Sequence, residues 1–328
     1  MEYRFFGRTG IKVSPVCLGT YNFGDQTGVK AAAQIIQTSL DAGINFIDTA
    51  DSYHHGKSEE IIGEVLKGRR NQVVLATKVH YKTSESPNDQ GNSRRHILKA
   101  CEDSLTRLKT DYIDLYQIHR PSSHIPVEET LHACSMLVRS GKVRYIGTTT
   151  HPAWMILEAI YTSKNYNYPM YVSEQSPYNL LDRRIENEIV PMAQRYHLAL
   201  LPWAPLAQGL LAGRYQAGQL LPEDSRAGRL PESIYAERIT QQGISVGERF
   251  TRMALDFKKT PGQLALLWCK DQPGITAPII GPRTLTQLTD LLPALEMSLS
   301  EEERTACEQI NPPGGHITNF FNTSGWMK

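Results

Sequence analysis

Short apolar runs alternate with segments of helical period along nearly the whole chain. Eight runs read as buried strands: Val16 to Leu18, Phe46-Ile47, Val73 to Ala76, Ile113 to Ile118, Val143 to Ile146, Tyr171 to Ser173, Leu198 to Leu201 and Ala277 to Ile280. Apolar residues three and four apart predict helices over Val29 to Ala42, Ser58 to Lys67, Arg94 to Leu108, Val127 to Ser140, Trp154 to Lys164, Ile185 to Tyr196, Ser245 to Phe257 and Leu285 to Leu292. Gly43 and Gly141 supply stop signals for two of these. Strands apolar on both faces, each followed by a helix, predict a closed parallel sheet, so the fold class is α/β and the architecture a (β/α)8 TIM barrel. A doubly wound open sheet is the rival. Against it, no Gly-x-Gly-x-x-Gly follows the first strand, and residues with chemical potential recur after several different strands.

Three segments lie outside this alternation. Tyr3 to Val13, turning through Gly7-Arg8-Thr9-Gly10, predicts an N-terminal β-hairpin. Residues 206–242 mix Gly, Pro and charge over a length unusual for a connection, which predicts a long active-site loop over one barrel mouth. Ser298 to Ile310 predicts an extra C-terminal helix. No internal repeat interrupts the pattern, and residues 1–328 are expected to form a single barrel domain.

Composition narrows the partner. The 328 residues carry a formal net charge of +1, which offers no basic field for nucleic acid or an anionic membrane, so a small molecule is expected. Cys17, Cys101, Cys134, Cys269 and Cys307 show neither Cys-x-x-Cys spacing nor a His at ligand spacing. They are expected to be reduced thiols of a cytoplasmic protein. Neither a signal peptide nor a membrane span is evident in the sequence, so a soluble, unprocessed chain is expected. Nothing in the pattern specifies an oligomeric state.

The chemistry gathers where strands end. The second strand runs into Asp48-Thr49-Ala50-Asp51-Ser52-Tyr53, the third ends in Lys78 and the fourth in His119. In a barrel these ends share one mouth. An acid, a phenol, an amine and an imidazole suit carbonyl reduction, because hydride arriving at carbonyl carbon leaves an alkoxide that must be protonated as it forms. Tyr53 can donate that proton, Lys78 is expected to lower the phenol's pKa toward the working pH, Asp48 to hold Lys78, and His119 to bond the substrate oxygen. No metal is required, and His54-His55 lacks a third ligand. Taken singly, each of these side chains also has a bland reading as a solvated strand end or a turn; Asp51 is read that way.

With these four in order, the chain resembles the aldo-keto reductase superfamily from near its start to about residue 295. The nearest members are the bacterial reductases and the potassium-channel β-subunit-like proteins. The resemblance implies Asp48, Tyr53, Lys78 and His119 as the catalytic tetrad and NADPH/NADP+ as cofactor. It further implies cofactor contacts from Gly19, Thr20, Tyr21, Gln26 and Asp48, from Thr149 and Gln175 on the carboxamide, and from Trp203 stacked on nicotinamide. Ala204, Pro205, Leu206 and Gln208 would cover the pyrophosphate, with Arg214 and Arg226 as phosphate clamps. Gly281, Arg283, Gln287 and Asp290 would hold the adenosine phosphate end, Arg283 favouring NADPH over NADH through paired hydrogen bonds to the 2′-phosphate. Thr150 departs from the asparagine common in the family's Gly-x-Ser-Asn segment, and Leu291 from another. Tyr21, Phe23, Tyr81, Tyr178 and Trp203 are candidate substrate-pocket residues. The implied function is reversible reduction of an aldehyde or ketone substrate. A cofactor-sensing regulatory subunit is the alternative, and a lyase forming a Schiff base on Lys78 a third.

Overall fold

The computed structural model describes residues 1–323; the last five positions of the expected 1–328 domain lie outside the described residues. A hairpin comes first: β1 (Arg4–Phe5) pairs antiparallel with β2 (Lys12–Val13). Eight parallel strands follow: β3 (Cys17–Gly19), β4 (Phe46–Asp48), β5 (Val74–Val79), β6 (Ile113–Ile118), β7 (Val143–Thr149), β8 (Tyr171–Gln175), β9 (Ala199–Leu200) and β10 (Ile279–Ile280). From β3 to β9 each pairs with the next, and β10 pairs with β3. The remaining seam closes through Ile279 N donating to Pro202 O at 2.8 Å and Thr276 N to Leu200 O at 3.0 Å. The (β/α)8 barrel is thus the architecture, and all eight expected strands are in it.

Alternation along the strands sets two layers inside the barrel. Phe46, Ala76, Leu115, Val172 and Ala199 form an apolar layer with Phe6 and Val13 of the hairpin. Phe6 meets Phe46 edge-on at 5.5 Å, and a Cβ on Gly7 would come within 2.7 Å of Ala199 N, so the hairpin seals the N-terminal end. Two residues further along each strand, Asp48, Lys78 and Gln117 face the same interior as a polar layer. Register shifts between Ile146 and Thr148 where β7 meets β8. The extra residue lets both Val172 and Gln175 face inward although they are three apart.

Helices cover the outside: α1 (Val29–Asp41), α2 (Lys57–Val65), α3 (Arg94–Leu108), α4 (Val127–Arg139), α5 (Ala153–Tyr166) and α6 (Ile189–Tyr196). The expected loop over 206–242 is more ordered than its composition implies. It carries a 3-10 turn at Ala207–Ala212, α7 (Arg226–Arg229) and α8 (Ile234–Glu237), and α9 (Gln241–Asp256) begins four residues before the expected Ser245, capped by Thr240. Next comes α10 (Pro261–Lys270), which the periodicity did not reveal: Leu264 to Lys270 is buried on every side, so no polar face marks a period. Its start was legible as Thr260-Pro261-Gly262-Gln263, a capping box with proline at the first helical position. Then come α11 (Leu285–Leu291) and α12 (Glu301–Ile310), the latter matching the expected C-terminal helix. All five cysteines are buried and free. Among the described residues, no helix is long and apolar enough to cross a membrane.

Gly63 lies in α2 where it meets the end of α3. Alanine there would gain about 1 kcal/mol of helix propensity, but its Cβ would sit 2.5 Å from Arg107 O and 2.6 Å from Leu108 C, backbone atoms with little freedom to withdraw. Overpacking of about 1–3 kcal/mol outweighs the gain. G63A is therefore expected to lower stability by up to about 2 kcal/mol, read as a lower urea midpoint at unchanged slope; a higher midpoint would refute the close packing of α2 on α3.

Candidate active site

Asp48, Tyr53, Lys78 and His119 meet at the mouth formed by the C-terminal strand ends. The Lys78 ammonium is wholly buried and donates to Asp48 Oδ2 at 2.5 Å, Thr49 O at 2.8 Å and Tyr53 Oη at 3.1 Å. That uses all three of its protons. Asp48 Oδ1 in turn accepts from Gln117 Nε2 and Gln175 Nε2, both at 2.9 Å. Tyr53 comes from the turn after β4, where His54, His55 and Gly56 take left-handed φ of 49°, 54° and 85° before α2 starts. Ser58 of α2 ties that turn to β3 through Thr20, and His54 Nε2 lies 2.7 Å from Tyr21 O. His119 follows β6, its ring 6.0 Å from that of Tyr53 and 4.9 Å from that of Tyr81. Its carbonyl accepts from Thr149 Oγ1 and from Arg120 Nη1.

The charges settle each group's protonation. Burial pushes the Lys78 amine down, but Asp48 and Tyr53 outweigh it and the net direction is up. An ammonium fixed in this way is a poor nucleophile, which argues against a Schiff base. Burial lifts the Tyr53 phenol above its ordinary 10, and Lys78 offsets this only in part because Asp48 opposes it. The expectation of a lowered phenol pKa is therefore corrected in its net direction: Lys78 does pull the phenol down, but burial outweighs it and Asp48, 2.5 Å from the ammonium, adds to the rise. Burial, then Arg120, Lys78 and His80, hold the His119 imidazole well below 6.5, so it is neutral at pH 7.

The residues implied for the cofactor fall into separate groups. Gly19, Thr20 and Tyr21 line β3's end; Gly19 lies so close to Ile279 that a Cβ would approach its Cγ2 to 2.6 Å, and Thr20 Oγ1 donates to Asp48 O. Gln175 is bound to Asp48, and Thr149 to the His119 carbonyl. Trp203 Nε1 donates to Thr150 Oγ1 at 3.4 Å. Beyond it Ala204, Ala207, Gln208 and Gly209 adopt positive φ, wrapping Pro205 and Leu206 into a tight loop. The buried side-chain amide of Gln208 has no hydrogen-bond partner among the described residues. Further out, Arg214 and Arg283 converge on Asp224, at 2.5 and 3.6 Å, and Gln26 joins them through Arg283 Nη1. Two guanidiniums on one exposed carboxylate, with an orphaned amide nearby, suit a phosphate-bearing group.

Some expectations are redirected. Gln287 Oε1 accepts from Arg283 N, while Asp290 accepts from Thr260 Oγ1 at the start of α10. Gly281 lies beside Asn22, whose Nδ2 donates to its carbonyl. Arg226 stacks on Tyr21 and Tyr235 rather than joining Asp224. Phe23 and Tyr178 are core residues rather than part of the mouth that holds Tyr53; the Tyr178 hydroxyl donates to Glu186. Asp51 lies in the turn after β4, as read, but buried beside Glu59 rather than solvated, and burial followed by Glu59 raises its carboxyl well above 3.8. Sequence reasoning missed Gln117, Arg120, Tyr235, Arg238 and Phe320. Gln117 was legible, two residues before His119 on the inward face. Phe320 was not: the chain after α12 returns to the mouth, where the Phe320 and Phe321 amides donate to Asp182 Oδ2.

A family model for the aldo/keto reductase family matches residues 15–312. A Bacillus subtilis (strain 168) protein described as "Uncharacterized oxidoreductase YrpG" is 39% identical over 98% of this chain and 99% of its own. Proteins described as a probable voltage-gated potassium channel subunit beta are 35% identical in Oryza sativa subsp. japonica and 33% in Arabidopsis thaliana. In both cases the match spans 90% of this chain and 92% of the relative.

Because the folded pKa of His119 is depressed, protonating it opposes folding, and its contribution erodes stability as pH falls through the ordinary 6.5. Ring-proton NMR is expected to show His119 titrating clearly below that value. H119N should lose less stability than the parent between pH 7 and 5; a midpoint at or above 6.5 would contradict the buried, cation-flanked environment.

Proposed function

The chain belongs to the aldo/keto reductase family of oxidoreductases, and from that premise we propose that it is an NADPH-dependent reductase of aldehydes or ketones, able to run in reverse on alcohols. The observation that carries this reading is the continuous hydrogen-bonded line Asp48–Lys78–Tyr53 with the His119 ring packed edge-on beside that of Tyr53. When bound, NADPH supplies the hydride that reaches the carbonyl carbon. Tyr53 delivers its hydroxyl proton to the oxygen as negative charge develops there. Lys78 already bonds the phenol oxygen and stabilises the tyrosinate left behind, while Asp48, held by Gln117 and Gln175, keeps the ammonium in line. His119 has its Nδ1 buried without a hydrogen-bond partner among the described residues, which leaves Nε2 to donate to the substrate oxygen. Gly19, Thr20, Tyr21, Thr149, Gln175 and Trp203 would hold the nicotinamide end, and Ala204 to Gln208 the pyrophosphate. Arg214, Arg283, Gln26 and Gln287 would hold the adenosine phosphate.

The channel-subunit names of the plant relatives favour a second reading, a regulatory subunit that binds cofactor without rapid turnover. A panel of aldehydes with NADPH separates the two: steady consumption supports the reductase, binding alone the sensor. Tyr53→Phe is expected to cut turnover by roughly 100-fold or more with NADPH affinity within about a factor of two, since the phenol acts in the transition state. Retained turnover would remove Tyr53 as the acid. Arg283→Gln is expected to weaken NADPH about 10-fold or more, the worth of one charge-assisted hydrogen bond, and NADH hardly at all; equal losses by fluorescence titration would deny Arg283 the 2′-phosphate.

A further inference from the structure

Three guanidiniums stand on aromatic rings around the mouth that holds Tyr53 and His119. Arg238 lies 5.3 Å from the Trp203 ring and 5.2 Å from that of Phe320. Arg226 lies 3.9 Å from Tyr21 and 4.8 Å from Tyr235, and Arg120 5.8 Å from Tyr81. These rings belong to the site: Tyr21 packs on Tyr53 at 5.0 Å and Tyr81 on His119 at 4.9 Å. Trp203 Nε1 and Arg120 Nη1 share the Thr150 hydroxyl.

On the phosphate side Arg214 and Arg283 meet Asp224, and Arg229 meets Asp25. Among the described residues, neither Arg226 nor Arg238 has a carboxylate within ion-pair distance. The acid whose field reaches Arg238 is Asp182, already held by two bonds from Arg184 at 2.8 and 2.6 Å. Arg238 Nε is buried with no hydrogen-bond partner among the described residues, and Nη2 reaches only Phe320 O at 3.5 Å. Arg120 and Arg226 both repel it. Gathering like charges in a half-buried cleft opposes folding unless a ligand completes the site. A guanidinium stacked by its face keeps its edge for paired hydrogen bonds to a carboxylate or phosphate.

We propose that this group selects the substrate: the carbonyl compound carries a carboxylate or phosphate that Arg238 grips, with Arg120 and Arg226 beside it. The proposal rests on the reductase reading, because the anion is anchored in the mouth that would present the carbonyl to Tyr53. Arg226 also acts on Tyr215 together with Arg214 and Arg283, so it stands between the two anion-binding regions, and Arg238 is the cleaner probe.

Two matched pairs test it with the full chain and NADPH: para-formylbenzoate against para-formylbenzamide, and glycolaldehyde phosphate against glycolaldehyde. Expected is a kcat/KM ratio of about tenfold or more for the anion, the worth of one charge-assisted hydrogen bond. A preference in the first pair alone assigns a carboxylate, in the second alone a phosphate. Added salt should erode the ratio, Arg238→Lys should keep part of it, and Arg238→Gln should bring it near one. Binding of benzoate against benzamide in the presence of NADP+, followed by tryptophan fluorescence, gives the same comparison without turnover and serves if the glutamine variant does not fold. Neutral aldehydes reduced as well as their anionic partners, or a ratio that survives Arg238→Gln, would overturn the proposal and leave the reductase reading standing. Selective benzoate binding with no carbonyl compound reduced would support the anion site and overturn the reductase.

Discussion

A lysine ammonium sealed from water must find its compensation in protein, and around Lys78 that compensation organises the whole mouth. Its three protons go to Asp48, Thr49 and Tyr53, and Asp48 needs Gln117 and Gln175 to satisfy the oxygen that Lys78 leaves unused. Breaking such a pair from one side costs about 3–5 kcal/mol, since the partner is left charged and dry. Residues from β4, β5, β6 and β8 are therefore bound into one network that the barrel must be closed to form. The apolar layer beneath it, plugged by the hairpin, keeps water from entering from the other end.

Much of this was legible because a buried strand has a period of two. Once Phe46, Ala76 and Leu115 are placed inward, Asp48, Lys78 and Gln117 follow, and the order of strand ends brings His119 to the same side. What the sequence hid has physical causes. Gln175 reaches Asp48 only because β8 carries an extra residue, and a bulge leaves no mark in the hydrophobic pattern. The α10 helix has no polar face to betray its period. Arg238 and Phe320 come from a loop and a terminal segment, whose positions depend on long-range bonds such as those that the Phe320 and Phe321 amides donate to Asp182.

Charge is divided across the mouth in a way that no single motif shows. At the outer rim positive side chains are matched by Asp224 and Asp25, carboxylates that can exchange with an incoming phosphate at little cost because they stay solvated. Nearer the tetrad, Arg226 and Arg238 rest on aromatic rings and, among the described residues, pair with no acid. The contrast matters because rings shield a guanidinium from water without neutralising it, so the inner region keeps its positive field. His119 is held neutral by burial first and then by the charges of Arg120, Lys78 and His80.

The raised Tyr53 phenol is what carbonyl reduction asks of its acid. An alkoxide is a far stronger base than a phenolate, so proton transfer from tyrosine to the developing alkoxide runs downhill even when burial has lifted the phenol above its ordinary value. The shift keeps the acid loaded at neutral pH, and Lys78, already in contact, recovers the lost stability when the tyrosinate forms. Alcohol oxidation needs the opposite species, a phenolate present before reaction, which this environment makes scarce until the solution is alkaline. Burial of the phenol, which Lys78 offsets only in part against Asp48, thus biases the proposed chemistry toward reduction at neutral pH without any change in the residues that perform it.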